Sequence, residues 1–416
     1  MPSAAPVPRG PTILTLYAAA DLLTGPGCPV CRYADEAAAR YLAWFALEGH
    51  ADAVAVTRLC SSLGMCPRHT RALIHQPGAA RRLTAVYRYV METARGALSG
   101  PAMRPGVCPA CEHDDGATVR ALDTLLEGLA QGPVRERCRE LGGLCIPHLH
   151  AASARGSRQV VTWLSGTLKA SAGTWPTWLA GSDRDADMRA ALRRRTTATS
   201  CPPTADACAA CLAAGWAEDD RLTHIACGDG HCRPDRRLLL CPGHLSDLVG
   251  AAAQGDQASL LAWQANCLTA APVRRHTPPV IRGRVAADGG RWFRRRRTGD
   301  GPDGCPVCLV GREAERRAVD QVRVSLRDAS PGPRRRVPLC VRHLLSLKAA
   351  DPRAWDRAEL SALERADGLI AELDEAFGKG TWARRHEARG PEMTEWRRAV
   401  VFLDGGVFRG CPPGET

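Results

Sequence analysis

Lysine is nearly missing from this chain: Lys169, Lys348 and Lys379 are the only three among 56 basic residues, the rest being arginine. A bias that pervasive belongs to the whole sequence, as in a GC-rich coding background, so the net charge of +12 says little by itself about nucleic acid. Aromatic residues are also scarce at 5%, which leaves Ala, Leu and Val to build the core without much of the large burial that rings supply. No apolar run reaches the roughly 20 residues that cross a bilayer, so no membrane partner is expected. Residues 12–23 are apolar but are broken by Asp21 and preceded only by Arg9. No secretory leader is expected from them, and a cytoplasmic location is. The usual marks of an enzyme are lacking too. There is no H-E-x-x-H pair and no G-x-S-x-G turn, and the glycines after Gly299 lack the strand-to-helix setting of a phosphate loop. These absences lean against catalysis.

Cysteine is what the chain has in abundance, and its spacing is ordered. Nineteen Cys and twelve His fall into a strict alternation of C-x-x-C with C-x-x-H, each occurring four times. Random placement of those residues predicts about one C-x-x-C and about half a C-x-x-H. In chain order the sets are Cys28/Cys31 with Cys66/His69, Cys108/Cys111 with Cys145/His148, Cys208/Cys211 with Cys241/His244, and Cys305/Cys308 with Cys340/His343. Between the two halves of each set lie 34, 33, 29 and 31 residues. Three soft thiolates and one imidazole form a tetrahedral shell that suits zinc, and about four zinc ions are expected. Iron–sulfur clusters are the rival, but they favour four thiolates. The odd cysteine count and the metal spacing favour a reducing compartment over a disulfide scaffold.

The repeat suggests an all-α protein of tandem helical modules, each stapled by its own Cys3His zinc site. Its expected parts are a flexible arm at 1–24, module one at 25–104, module two at 105–200, module three at 201–271, a basic linker at 272–304, and module four with C-terminal helices at 305–416. Helical periodicity is clear in module one, where Ala34, Ala37, Ala38, Tyr41, Leu42 and Phe45 recur on one face, as do Leu83, Val86, Tyr87, Val90 and Met91 later. Pro inside Cys28-Pro-Val-Cys31 fits the first turn of a helix, with both thiols facing one way. Each ion would then clamp two helix starts across a loop of about thirty residues. Before Cys241 and Cys340, Pro and β-branched residues suggest a short extended segment or hairpin instead of a helix.

At Cys28-Pro-Val-Cys31 and Gly64-Met-Cys66-Pro-Arg-His69 the chain resembles a family of uncharacterised bacterial proteins marked by C-P-x-C followed by G-x-C-x-x-H-L. The stretch from Glu395 through Trp396 to Val400 looks like that family's final helix. The resemblance implies a helical zinc-binding protein and carries no activity. Module three departs from it: Cys208-Ala-Ala-Cys211 lacks the internal Pro, and Cys227, His231 and Cys232 intervene. With His224 they form either a second site or an exposed loop. Cys60 and Cys138, shortly before the C-x-x-H cysteines, read as small buried hydrophobes, with exchangeable metal ligation as the alternative.

One stretch gathers charge. Residues 272–304 carry +6, including Arg274, Arg275, Arg291, Arg294, Arg295, Arg296 and Arg297 around Trp292. Basic side chains interleaved with aromatics suit a phosphate backbone, and a solvated linker explains the same residues. The sequence therefore reads as a non-enzymatic zinc-binding scaffold for an unidentified protein partner. The alternatives are a nucleic-acid-binding protein using 272–304, and an enzyme or redox sensor with a reactive zinc thiolate.

Overall fold

In a computed structural model, residues 12–170, 207–226, 305–328, 336–388 and 395–405 are described, a few single positions apart, together with Leu240, His244 and Leu248. All regular elements among them are helices: α1 (Ile13–Leu22), α2 (Pro29–Leu47), α3 (Ala53–Ser61), α4 (Pro67–Ile74), α5 (Ala79–Ser99), α6 (Pro109–Gly128), α7 (Gly132–Glu140), α8 (Ile146–Ser153) and α9 (Arg158–Ala170). After the tail of module two come α10 (Ala209–Ala226), α11 (Pro306–Asp328), α12 (Val341–Ala350), α13 (Pro352–Lys379) and α14 (Glu395–Asp404). The all-α reading holds. Residues 336–340 are irregular, with Leu339 N–H bonded to the Val337 carbonyl at 2.9 Å, and no strand occurs among the described residues. The segment before Cys241 lies outside them. No described helix is long and apolar enough to cross a membrane.

The contacts divide the chain into two compact units, each drawn from separated segments. One comprises Met1–Ala37, Asp114–Ala190 and His224–Pro306; the other comprises Ala38–His113, Ala191–Thr223 and Val307–Thr416. In the first unit α1 packs on α7, burying Ala19 and Leu22. The end of the expected N-terminal arm is thus part of a core.

In the second unit α5 and α13 form the main packed pair. Along α13 the buried residues Ala354, Ala358, Ala362, Ala366, Leu369 and Leu373 recur at helical spacing. Small alanines let the helix axis approach closely while α5 supplies bulk through Val86, Tyr87, Val90 and Met91. Arg88 pairs with Asp374 and Arg95 with Asp367, seven residues apart on each helix and in opposite order, which fixes the pair as antiparallel. These exposed pairs set register more than stability. Most of the aromatics among the described residues lie here, and Phe45, Tyr87, Trp396 and Phe402 are all fully buried.

One of the three lysines has a specific task. The Lys348 ammonium donates to the carbonyls of Ala97, Leu98 and Gly100 at the end of α5 and lies 5.0 Å over the Trp355 ring. It satisfies carbonyls that the helix cannot pair internally and sits at the negative end of the helix dipole. Lys348→Met should keep the stem's packing and lose this cap, costing about 2 kcal/mol. An unchanged urea midpoint would show that water replaces the ammonium without loss.

Candidate metal centres

Each described motif half stands at the start of a helix. Cys28, Cys66 and Cys108 immediately precede Pro29, Pro67 and Pro109, the first residues of α2, α4 and α6. Cys145 and Cys340 occupy extended N-cap positions, yet their side chains make no capping bond to the helix. The thiols point elsewhere, and the second ligand three residues on faces the same way.

The chain approaches two of the C-x-x-H turns through the same backbone device. Gly64 N–H bonds to the Leu59 carbonyl and Leu63 N–H to that of Cys60; Gly143 N–H bonds to Cys138 and Gly142 N–H to Arg139. Both are helix ends closed by a left-handed residue. Gly142 fills that role at φ 83°, whereas Leu63 does so at φ 54°. The left-handed conformation costs Leu63 roughly 1–2 kcal/mol. Full burial of its side chain returns about as much.

The ligands converge, but not in chain order. One group is Cys28, Cys31, Cys145 and His148; a second is Cys66, His69, Cys108 and Cys111; a third is Cys208, Cys211, Cys340 and His343; the last is His244, Cys305 and Cys308. The pairing of each C-x-x-C with the next C-x-x-H therefore does not form. Instead the outer motifs of each half pair with one another, and so do the inner ones. The pattern occurs twice, as 28/31 with 145/148 around 66/69 with 108/111, then 208/211 with 340/343 around 244 with 305/308. Cys241 lies outside the described residues.

Helix length works against pairing in chain order. From Cys31 the chain runs along α2 to Leu47, about 24 Å at 1.5 Å per residue. The nine residues of α3 span only about 13 Å. The residues on either side of α3 would have to stretch to bring the next C-x-x-H back to the helix start that it follows. A C-x-x-H from the other repeat fills that place.

Within the groups the spacing is that of a tetrahedral shell. An ion with bonds of about 2.3 Å to sulfur and about 2.0 Å to nitrogen puts sulfurs about 3.8 Å apart and sulfur about 3.5 Å from nitrogen. In the first group His148 Nδ1 lies 3.4, 3.3 and 3.1 Å from the sulfurs of Cys28, Cys31 and Cys145, and Cys31 lies 3.6 Å from Cys145. In the second, His69 Nδ1 lies 3.4, 3.6 and 3.4 Å from Cys66, Cys108 and Cys111. In the third, His343 Nδ1 lies 3.3, 3.6 and 3.2 Å from Cys208, Cys211 and Cys340. His244 Nδ1 is 3.4 Å from Cys305 Sγ. The described cysteines are all free thiols. These residues could hold a metal ion, and three of the groups offer four ligands with no open position.

Crowding makes the thiols share their protons unequally. Cys108 is pushed down to about 3 by hydrogen bonds from Cys111 and Cys66, against burial, while the same contacts drive Cys111 up. Burial lowers the His343 pKa, but hydrogen bonds to Cys208, Cys340 and Glu315 outweigh it and push His343 up to about 12. Such a set attracts positive charge, and a divalent cation satisfies it better than scattered protons.

Sequence reasoning missed the groups that support the third centre. Glu315 Oε1 lies 2.6 Å from His343 Nε2, which leaves Nδ1 as the ligand and fixes the ring. Gly405 follows α14 at φ +64°, and a Cβ there would lie 2.2 Å from Cys211 Sγ and 3.1 Å from Cys340 Sγ. The helix end thus rests on two sulfurs. A Gly after an apolar helix signals a cap, but nothing local says what it touches.

Other singled-out residues stay apart. Cys138 is fully buried in α7 and Cys60 half-buried in α3, and neither joins a group. Burial, reinforced by the charge of Cys28, pushes the Cys138 thiol up to about 12, which suits an inert core residue. His224 is exposed at the end of α10 and also joins none. Cys227, His231 and Cys232 lie outside the described residues. So do Arg274, Arg275, Arg291, Trp292, Arg294, Arg295, Arg296 and Arg297. No family model, no curated protein and no solved structure matches this chain.

Proposed function

We propose that this chain is a zinc-stapled helical scaffold for protein interaction, with metal centres that hold the fold and do no chemistry. The observation that carries this reading is the crossed Cys3His geometry, in which shells of four ligands close on themselves. A catalytic zinc keeps a position for water or substrate, whereas a structural one is closed by protein ligands. The donor set of thiolate and imidazole favours zinc over harder ions. In this reading Cys241 completes the group of His244, Cys305 and Cys308, as the matching cysteine Cys66 does in the first half, and the likeness to the C-P-x-C family extends to a shared zinc-binding role. A scaffold needs exposed apolar contact residues, and Ile13, Leu14 and Tyr17 on α1 are each more than 70% exposed.

Zinc also supplies stability that composition withholds. Aromatic burial is modest, and each ion ties segments whose closure would otherwise oppose folding. Between Cys31 and Cys145 lie 113 residues, and between Cys211 and Cys340 lie 128.

Natively purified protein is expected to carry about four zinc ions per chain, with absorbance of protein alone and a stoichiometric co-purifying polypeptide. One or two ions, or iron with visible absorbance, would overturn the metal assignment. An excess of 260 nm absorbance removed by salt would replace the scaffold with a nucleic-acid-binding protein working through 272–304.

A further inference from the structure

The third centre has a half-buried side chain inside its own C-x-x-H turn that is not a ligand. Arg342 stands between Cys340 and His343, and its Nε lies 2.8 Å from Asp404 Oδ1, a carboxylate only 7% exposed at the end of α14. Its Nη2 donates to the Ser62 carbonyl at 3.3 Å. Ser62 is fully buried, and its hydroxyl donates to the carbonyls of Leu59 and Gly64, both at 2.9 Å. Those contacts belong to the left-handed turn that delivers Cys66. A residue of the third centre's own helix start therefore touches, through one guanidinium, the helix end that covers its sulfurs and the turn that positions the second centre. All of these residues belong to one compact unit.

Resting on the zinc reading above, we infer that Arg342 couples the second and third centres, so that metal held at one strengthens the hold at the other. An ion bound by both Cys340 and His343 would hold the first turn of α12, with Arg342 between them, in the shape seen here. That shape fixes Arg342 against Asp404 and Ser62, and Ser62 in turn fixes the turn before Cys66. Loss of the third ion frees Arg342 and removes one constraint on the ligands of the second. Coupling of this kind is reciprocal, so emptying the second centre weakens the third by the same factor.

A double-mutant cycle on the full-length, zinc-loaded protein tests this. Cys208→Ser opens the third centre and Arg342→Gln removes the link; the readout is the alkylation rate of Cys66, Cys108 and Cys111, resolved by peptide mass, at fixed free zinc. With Arg342 present, Cys208→Ser should speed alkylation of the second group about tenfold. In the Arg342→Gln background it should do so by less than about twofold. Asp404→Asn, which keeps the shape of the anchor and removes its charge, should shrink the effect similarly and serves if Arg342→Gln loses helicity. Equal acceleration in all backgrounds, or none in the native one, would overturn the coupling. Wild-type protein that never takes up zinc at these groups would overturn the metal reading instead, and the wild-type zinc count separates the two failures.

Discussion

Replacing His148 by alanine is expected to open Cys28 and Cys31 to alkylation while Cys108 and Cys111 stay protected. His148 Nδ1 lies within 3.1–3.4 Å of Cys28, Cys31 and Cys145, whereas the C-x-x-C before it in the chain belongs to the shell of His69. A structural zinc site contributes on the order of 10 kcal/mol of apparent binding energy, and much of it is realised as folding energy. Removing one of four ligands leaves a three-thiolate shell open to water. A loss of several kcal/mol is expected, enough to release the ion under modest chelation. Zinc content should fall by one ion, and the helices tied by that shell, α2 and α8, should lose hydrogen-exchange protection at their first turns. His69→Ala should do the converse, exposing Cys66, Cys108 and Cys111 while sparing Cys28. Were His148→Ala to expose Cys108 and Cys111, the chain-order pairing would be restored and the crossed arrangement would be wrong.

The residues that could hold a metal stood out in the sequence because metal chemistry demands particular residue types at short local spacings. Cys28-Pro-Val-Cys31 and Cys145-Ile-Pro-His148 each declare a helix start with two donors on one side. Helices were legible too where the apolar periodicity is strong, as at residues 34–45 and 83–98. Partnership was not, because spacing along the chain measures loop length and says nothing about direction. What disfavours local closure is the mismatch between a long helix and the short one that follows it. The 19 residues of α2 against the nine of α3, and the 20 of α6 against the nine of α7, leave a difference of more than about 10 Å, at 1.5 Å per residue, for the connections to make up. That comparison needs helix boundaries, which periodicity gives only coarsely where Gly49 and Gly142 interrupt it. Supporting residues were harder still. Glu315 reaches His343 across 28 positions of sequence, Gly405 lies against Cys211 and Cys340 from more than sixty positions away, and Arg342, though inside its own turn, has partners that are equally remote.

Gly405→Ala should be among the costliest glycine-to-alanine changes in the described residues. The residue ends α14 in the left-handed region, with its N–H bonded to the Val401 carbonyl at 2.9 Å, so alanine there pays roughly 1–2 kcal/mol in backbone conformation alone. The larger effect is steric. A methyl group that close to Cys211 Sγ and 3.1 Å from Cys340 Sγ is hard to absorb by rotamer change, because both sulfurs are already packed against His343 Nδ1, at 3.6 and 3.2 Å. Either the third ion leaves or α14 lifts away. Lifting exposes Trp396, Phe402 and Leu403, all now buried, and overpacking of this severity costs about 3 kcal/mol or more. The variant is expected to lose one zinc ion and to show faster alkylation of Cys208, Cys211 and Cys340, with the thermal transition moved down by several degrees. Gly96→Ala is the control, since a Cβ in that helical position of α5 meets nothing within 4 Å. It should stabilise by about 0.5–1 kcal/mol through reduced freedom of the unfolded chain. Opposite signs at two glycines changed in the same way would tie the loss at Gly405 to the sulfurs it covers. A Gly405→Ala protein with full zinc content and an unchanged transition would mean that the end of α14 does not rest on the centre at all.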